Sequence, residues 1–259
     1  MPFAEIADGR IHFDLSGPDA APVVVFSNSL GTDYSMWDPQ VPVLAKKFRI
    51  LRYDTRGHGL SSVTQGPYSI EQLGKDVVKL LDSLEAKRMH FCGLSMGGMI
   101  GMWLGINVPE RLDKLILCST AAKIGTSETW NARIATVEQQ GMGTVAAAAM
   151  ERWFTAPFRE MNPKVVAVAR KMVEKTNPEG YAACCRAIRD FDFRDKVGGV
   201  RVSTLAMAGA RDPATPPADV RFLAERISGA RYAELSGSHL CNIEDNDRFT
   251  AELSAFLEA

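Results

Sequence analysis

Gly93-Leu94-Ser95-Met96-Gly97 follows the apolar run Met89 to Cys92 and opens a helix-like segment from Met96 to Asn107. Strand, sharp turn and helix in that order is the setting a nucleophilic serine requires, because a strained turn pushes the hydroxyl out over the end of a sheet. Glycines two positions either side relieve the crowding such a turn creates. The reading predicts a doubly covered sheet with Ser95 at its edge, and it predicts partners. An acid and then a histidine should follow, each just after a strand nearer the C-terminus.

The chain has four histidines. His12 sits in the alternating run Ile11 to Leu15 and His90 in the strand entering the turn, so both read as sheet residues. His58 belongs to Asp54-Thr55-Arg56-Gly57-His58-Gly59, which precedes the serine and so has the wrong order for a general base. His239 follows the strand-like Ala230 to Leu235 in the flexible loop Ser236-Gly237-Ser238-His239. The expected acid is Asp212, placed directly after the apolar run Thr204 to Gly209 and before Pro213. Asp190, Asp192 and Asp195 compete for that role, but they lie in a charged segment with no strand before it.

These residues imply acyl transfer. A serine hydroxyl is a poor nucleophile until a neutral imidazole takes its proton, and the same imidazole can later protonate a leaving group. Asp212 would fix the His239 tautomer. The tetrahedral oxyanion needs two backbone donors, one from the residue after the nucleophile, Met96, and a second from the loop after the strand Val23 to Ser27. In that loop, Ser27-Asn28-Ser29-Leu30-Gly31, Leu30 is the expected donor, and the polar side chains of Asn28 and Ser29 are candidates for substrate contact.

Strand-like runs fall at Phe3 to Ala7, Arg10 to Leu15, Val23 to Ser27, Phe48 to Tyr53, Met89 to Gly93, Lys114 to Ser119, Val202 to Ala208 and Arg231 to Leu235. Helical patterns separate them at Trp37 to Lys46, Ile70 to Glu85, Met96 to Asn107, Pro217 to Ile227 and Asp247 to Glu258. Such alternation implies right-handed crossovers and a mostly parallel sheet with helices on both faces. Residues 125–194 break the pattern with helical stretches alone: Glu128 to Gln140, Gly143 to Phe154, Pro163 to Lys175 and Pro178 to Arg189. They read as a helical cap inserted after the sixth strand, over a core formed by residues 1–124 and 195–259. A cap of this kind would shape the substrate pocket and exclude water.

With 259 residues, 46% hydrophobic and 24% charged, the chain can bury a full core. A net charge of −1 supplies no basic field for nucleic acid or an anionic membrane. No signal-like segment follows Met1-Pro2 and no apolar run reaches membrane-spanning length, so the expected location is cytoplasmic. The five cysteines, Cys92, Cys118, Cys184, Cys185 and Cys241, are odd in number and lack metal-ligand spacing, which points to reduced thiols and no metal site.

On these features the chain resembles the α/β-hydrolase superfamily over essentially its full length, and serine at the turn disfavours the branch that uses aspartate there. Within the superfamily it is most similar to bacterial 3-oxoadipate enol-lactonases. The residues carrying that resemblance are Asn28-Ser29-Leu30-Gly31 with Met36-Trp37, Tyr53 to Gly59, Ala121-Ala122-Lys123-Ile124-Gly125, Glu151-Arg152-Trp153-Phe154, and Asn177-Pro178-Glu179-Gly180-Tyr181 with Cys184-Cys185. The resemblance implies an α/β-hydrolase fold with an eight-stranded sheet. It also implies opening of 3-oxoadipate enol-lactone to 3-oxoadipate in aromatic catabolism, without metal or organic cofactor. A substrate carrying a free carboxylate needs a cationic anchor. Arg133 is the first candidate, three positions after Trp130 on one helix face, with Arg152, Arg186 and the Asn28 and Ser29 side chains as other donors. Trp153 and Tyr181 read as packing or pocket-wall residues rather than as chemistry. A broader carboxylesterase or lactonase, a cofactor-free perhydrolase, and a small-molecule receptor on the same fold are the alternatives.

Overall fold

A computed structural model describes residues 2–259. Eight strands form one sheet: β1 (Phe3–Ile6), β2 (Gly9–Ser16), β3 (Val23–Ser27), β4 (Arg49–Tyr53), β5 (Met89–Leu94), β6 (Leu112–Cys118), β7 (Ser203–Gly209) and β8 (Arg231–Leu235). Their order is β1-β2-β4-β3-β5-β6-β7-β8. The β1–β2 and β2–β4 pairs are antiparallel and the remaining pairs parallel. Central strands are apolar on both faces, as a doubly covered sheet demands. Val24, Val25 and Phe26 of β3 are fully buried, and every residue of β5 is buried.

The helices are α1 (Val41–Leu44), α2 (Ile70–Ser83), α3 (Met96–Asn107), α4 (Ser127–Gln140), α5 (Met142–Trp153), α6 (Ala156–Met161), α7 (Pro163–Lys175), α8 (Pro178–Asp190), α9 (Pro217–Arg226), α10 (Cys241–Glu244) and α11 (Asn246–Glu258). In α2, the Ser69 hydroxyl accepts the Gln72 N–H at 3.1 Å, a cap worth about 1 kcal/mol. Burial decides more: Ile70, Leu73, Val77, Leu80 and Leu81 all face the core, each contributing roughly 1.5–3 kcal/mol. Five helices, α4 to α8, occupy the chain between β6 and β7, one more than the pattern predicts. The extra one, α6, is a short helix capped by Thr155 with Pro157 in its first turn.

The expected helix from Trp37 to Lys46 is not continuous. A 3-10 turn, Tyr34–Trp37, is followed by the four-residue α1. Pro39 and Pro42 lack the N–H an unbroken helix would need there.

Parallel register sets the C-terminal ends of the central strands level. Ser27 lies opposite Gly93, Leu94 opposite Cys118, Cys118 opposite Met207, and Gly209 opposite Leu235. The loops carrying Leu30, Ser95, Asp212 and His239 therefore leave the sheet at one edge, where open α/β sheets bind their ligands. No helix among the described residues is long and apolar enough to cross a membrane.

Candidate active site

Ser95 sits between β5 and α3 with φ 58° and ψ −114°, a conformation an L-residue adopts only where the surroundings impose it. Three hydrogen bonds hold the turn. The Ser95 N–H donates to the Cys118 carbonyl at 2.9 Å, the Thr120 hydroxyl donates to the Ser95 carbonyl at 2.7 Å, and the Gly97 N–H donates to the Asn28 carbonyl at 3.1 Å. A Cβ on Gly93 would collide with the Gly97 carbonyl, and one on Gly97 with the Ser27 carbonyl. Both glycines are needed because backbone passes against backbone.

Asp212 leaves the end of β7 and His239 follows β8. The His239 ring donates from Nδ1 to Asp212 Oδ2 at 2.7 Å, since an ionised carboxylate only accepts. The same carboxylate accepts the Thr215 hydroxyl at 2.6 Å and the N–H groups of Ala214 and Thr215 at 2.8 and 3.1 Å. Burial alone would raise the Asp212 carboxyl, but the His239 ring and the Thr215 donors outweigh it and hold it below the usual carboxylate range. With Nδ1 committed to Asp212, Nε2 is the nitrogen left for the reacting atoms. The competing acids are spent elsewhere: Asp190 pairs with Arg189, Asp192 with Arg194, and all three of Asp190, Asp192 and Asp195 are exposed.

Ser95 and His239 line a single cavity of about 200 Å³. Ser29 and Leu30 come to it from the loop after β3, and Pro213 and Ala214 from the loop after β7. From α4 come Trp130 and Arg133, from α5 Arg152 and Trp153, and from α8 Tyr181. The helices between β6 and β7 thus close the space above the serine.

Two expected contacts differ in the structure. Asn28 does not reach the cavity: its amide donates to the Tyr53 carbonyl at 2.8 Å and accepts the Trp37 indole N–H at 3.0 Å, which fixes the loop from behind. Arg186 turns outward to Glu138 at 2.6 Å. The backbone N–H groups near the serine divide into engaged and unengaged ones. The N–H groups flanking Leu30 are engaged, Ser29 with the Met36 sulfur at 3.4 Å and Gly31 with His58 Nε2 at 2.9 Å. Neither the Leu30 nor the Met96 N–H has a protein acceptor among the described residues.

Arg133 and Arg152 are the cations of the wall, and no acidic residue lines it. Neither forms an ion pair among the described residues, although most other arginines of the chain do. The Arg133 guanidinium lies 4.6 Å from the centre of the Trp130 ring, whose indole N–H is tied to the Ile124 carbonyl at 2.7 Å. Burial, and then the Arg133 charge, lower the proton affinity of Arg152. The pair is therefore a concentration of positive charge with no acidic residue beside it in the wall.

Sequence reasoning missed Thr215, which completes the Asp212 cradle, and Glu244. The Glu244 carboxylate accepts the Thr155 N–H and hydroxyl from the cap segment and the Ser238 N–H at 2.9 Å from the histidine loop. Ser238 extends the clasp by donating to the Arg152 carbonyl at 2.8 Å. Thr215 had a signal, a hydroxyl residue three positions after the acid. Glu244 had none, because Thr155, the partner that makes it a clasp on the cap, lies 89 positions away in sequence.

Many known proteins are similar to this chain. A family model described as the alpha/beta hydrolase fold matches residues 22–246. The 3-oxoadipate enol-lactonase 2 of Acinetobacter baylyi is 41% identical over 251 residues, covering 97% of this chain and 94% of that protein. The 3-oxoadipate enol-lactonase 1 of the same organism is 39% identical, covering 95% of this chain and 92% of its own. Among solved structures, the enol-lactonase from Burkholderia xenovorans superposes with a TM-score of 0.98 at 46% identity, covering both chains completely.

Proposed function

The chain belongs to the α/β-hydrolase family and, within it, to the 3-oxoadipate enol-lactonases, and from that membership we propose that it opens 3-oxoadipate enol-lactone through an acyl-enzyme on Ser95. One observation carries the substrate side of this reading: the cavity over Ser95 contains two guanidiniums, Arg133 and Arg152, and no carboxylate. An anionic substrate supplies the missing charge, and a neutral ester does not.

Each step follows from where the groups stand. Ser95 Oγ attacks the lactone carbonyl carbon while His239 Nε2 takes its proton, and Asp212 stabilises the imidazolium without being protonated itself. The oxyanion is received by the Leu30 and Met96 N–H groups. As the intermediate collapses, the bond from the acyl carbon to the ring oxygen breaks and His239 returns the proton to that enol oxygen. The enol stays tethered to the acyl group and ketonises. An enol departs more readily than a simple alcohol, and ketonisation draws the reaction forward. Water, deprotonated by His239, then attacks the acyl carbon and regenerates the Ser95 hydroxyl, leaving 3-oxoadipate.

The carboxylate of the lactone is held by Arg133, stacked on Trp130, with Trp153 and Ser29 bounding the ring. Arg133→Ala tests the reading on two substrates. For the enol-lactone, followed by loss of its ultraviolet absorbance, kcat/KM should fall by about 2–4 kcal/mol, the cost of removing a charged hydrogen-bond partner. For p-nitrophenyl acetate, which uses the same serine and has no carboxylate, it should barely change. Equal loss on both would mark structural damage, and no loss on either would move the anchor to Arg152 or Ser29.

A further inference from the structure

His58 has no place in the reaction as written, yet it is the most committed ring outside the triad. It is 1% exposed, and its Nε2 accepts the Gly31 N–H at 2.9 Å. An N–H can only donate, so Nε2 carries no proton and Nδ1 carries the single ring proton, directed at the Arg56 carbonyl at 3.3 Å. Arg56 is itself immobilised by two 2.7 Å hydrogen bonds to Asp76 of α2. A connected path therefore runs from α2 through Arg56 and His58 to the loop after β3.

That loop is held on both sides of Leu30. Before it, the Ser29 N–H meets the Met36 sulfur at 3.4 Å, a weak acceptor; after it, the Gly31 N–H meets an imidazole nitrogen at hydrogen-bonding distance. On the outer side the Thr176 hydroxyl reaches the Gly31 carbonyl at 3.4 Å. Within the turn the Thr32 N–H and hydroxyl both donate to the Ser29 carbonyl, at 3.2 and 2.8 Å, and the His58 bond ties the turn so closed, with Leu30 inside it, to the loop after β4. Burial supports the same tautomer, because it pushes the ring down to about 4 and keeps it a neutral acceptor at ordinary pH.

We propose that His58 is a positioning residue for the oxyanion site, holding the Gly31 N–H through Nε2 so that the Leu30 N–H faces the tetrahedral intermediate. The inference rests on the reading of Leu30 as an oxyanion donor. It assigns a role to a histidine that the order of the catalytic residues excludes as the base. A misaimed donor weakens the transition state more than the bound substrate, so its loss falls on kcat.

The test compares His58→Asn with His58→Gln. Glutamine can place an oxygen near the Nε2 position, whereas asparagine is too short. His58→Asn should lower kcat for the enol-lactone by about 10²-fold, as for loss of one oxyanion donor, with KM changed only a few-fold. His58→Gln should recover to within about 10-fold of the parent. Labelling of Ser95 by a serine-directed phosphonate, whose phosphoryl oxygen uses the same donors, should follow the same order. Nitrogen-detected NMR of the unsubstituted protein provides a measurement that requires no variant to fold: Nε2 of His58 should be unprotonated and Nδ1 protonated. Unchanged kcat in a folded His58→Asn protein, equal losses in both variants, or a protonated Nε2 would each overturn the proposal alone. Failure of the phosphonate to label Ser95 in the unsubstituted protein would overturn the acyl-enzyme reading and this role with it.

Discussion

Asp212 accepts four hydrogen bonds, two from backbone and two from side chains, and is 3% exposed. A carboxylate so thoroughly supplied stays ionised and stationary, which is what a residue that fixes an imidazole tautomer must do. Asp212→Asn keeps the shape but introduces an amide that can donate, and a donor facing Nδ1 favours the proton on Nε2, where the serine needs an acceptor. We expect kcat to fall by roughly 10³–10⁴-fold with the fold intact, measured on the enol-lactone. Asp190→Asn and Asp195→Asn should leave turnover unchanged. A loss in either equal to that of Asp212→Asn would mean that the acid is misassigned.

At the level of elements, what the sequence disclosed is what local chemistry dictates. Glycine spacing about Ser95 announced a turn, and the turn implied the strand before it and the helix after it. The central strands announced themselves as apolar runs, because both faces are covered. The Trp37 to Lys46 segment misled, since its apolar spacing suits a helix while Pro39 and Pro42 interrupt the hydrogen bonds. The short α6 escaped notice because six residues carry too little periodicity to stand out. The site shows the same division. Ser95, His239 and Asp212 were readable from chain order and the strands before them. The inward course of the Asn28 side chain was not, because its partners, Trp37 and the Tyr53 carbonyl, are brought to it by the 3-10 turn and by β4. Likewise, His58 could be excluded as a base from its place in the chain, but its bond to Gly31 exists only once β3 and β4 are paired.

At the scale of the whole molecule, these placements predict a loss of stability in acid. His58 is buried as a neutral ring beside Arg56, Tyr181 and Cys184, with the Asp33 charge as the carboxylate that favours its protonation. Unfolding frees the ring to take a proton at its ordinary affinity, near 6.5, whereas the folded protein resists until about 4. Between those values the unfolded chain binds one proton more, so stability rises with pH and is lost as pH falls from about 6.5 to 4. The His58 share of that loss is roughly 3 kcal/mol, read as the difference in denaturant midpoints between the protein and His58→Gln across this window. Parallel curves for the two would contradict the buried neutral ring.

In the proposed mechanism the five-helix insertion and the sheet edge together present an anionic lactone to one activated serine. Single-turnover hydrolysis of freshly generated 3-oxoadipate enol-lactone, compared between the protein and Ser95→Ala at equal concentration, tests this most directly. Rapid loss of ultraviolet absorbance is expected in the first and a rate lower by about 10⁴-fold or more in the second, with an unchanged melting temperature. Near-normal turnover by a folded Ser95→Ala protein would contradict it.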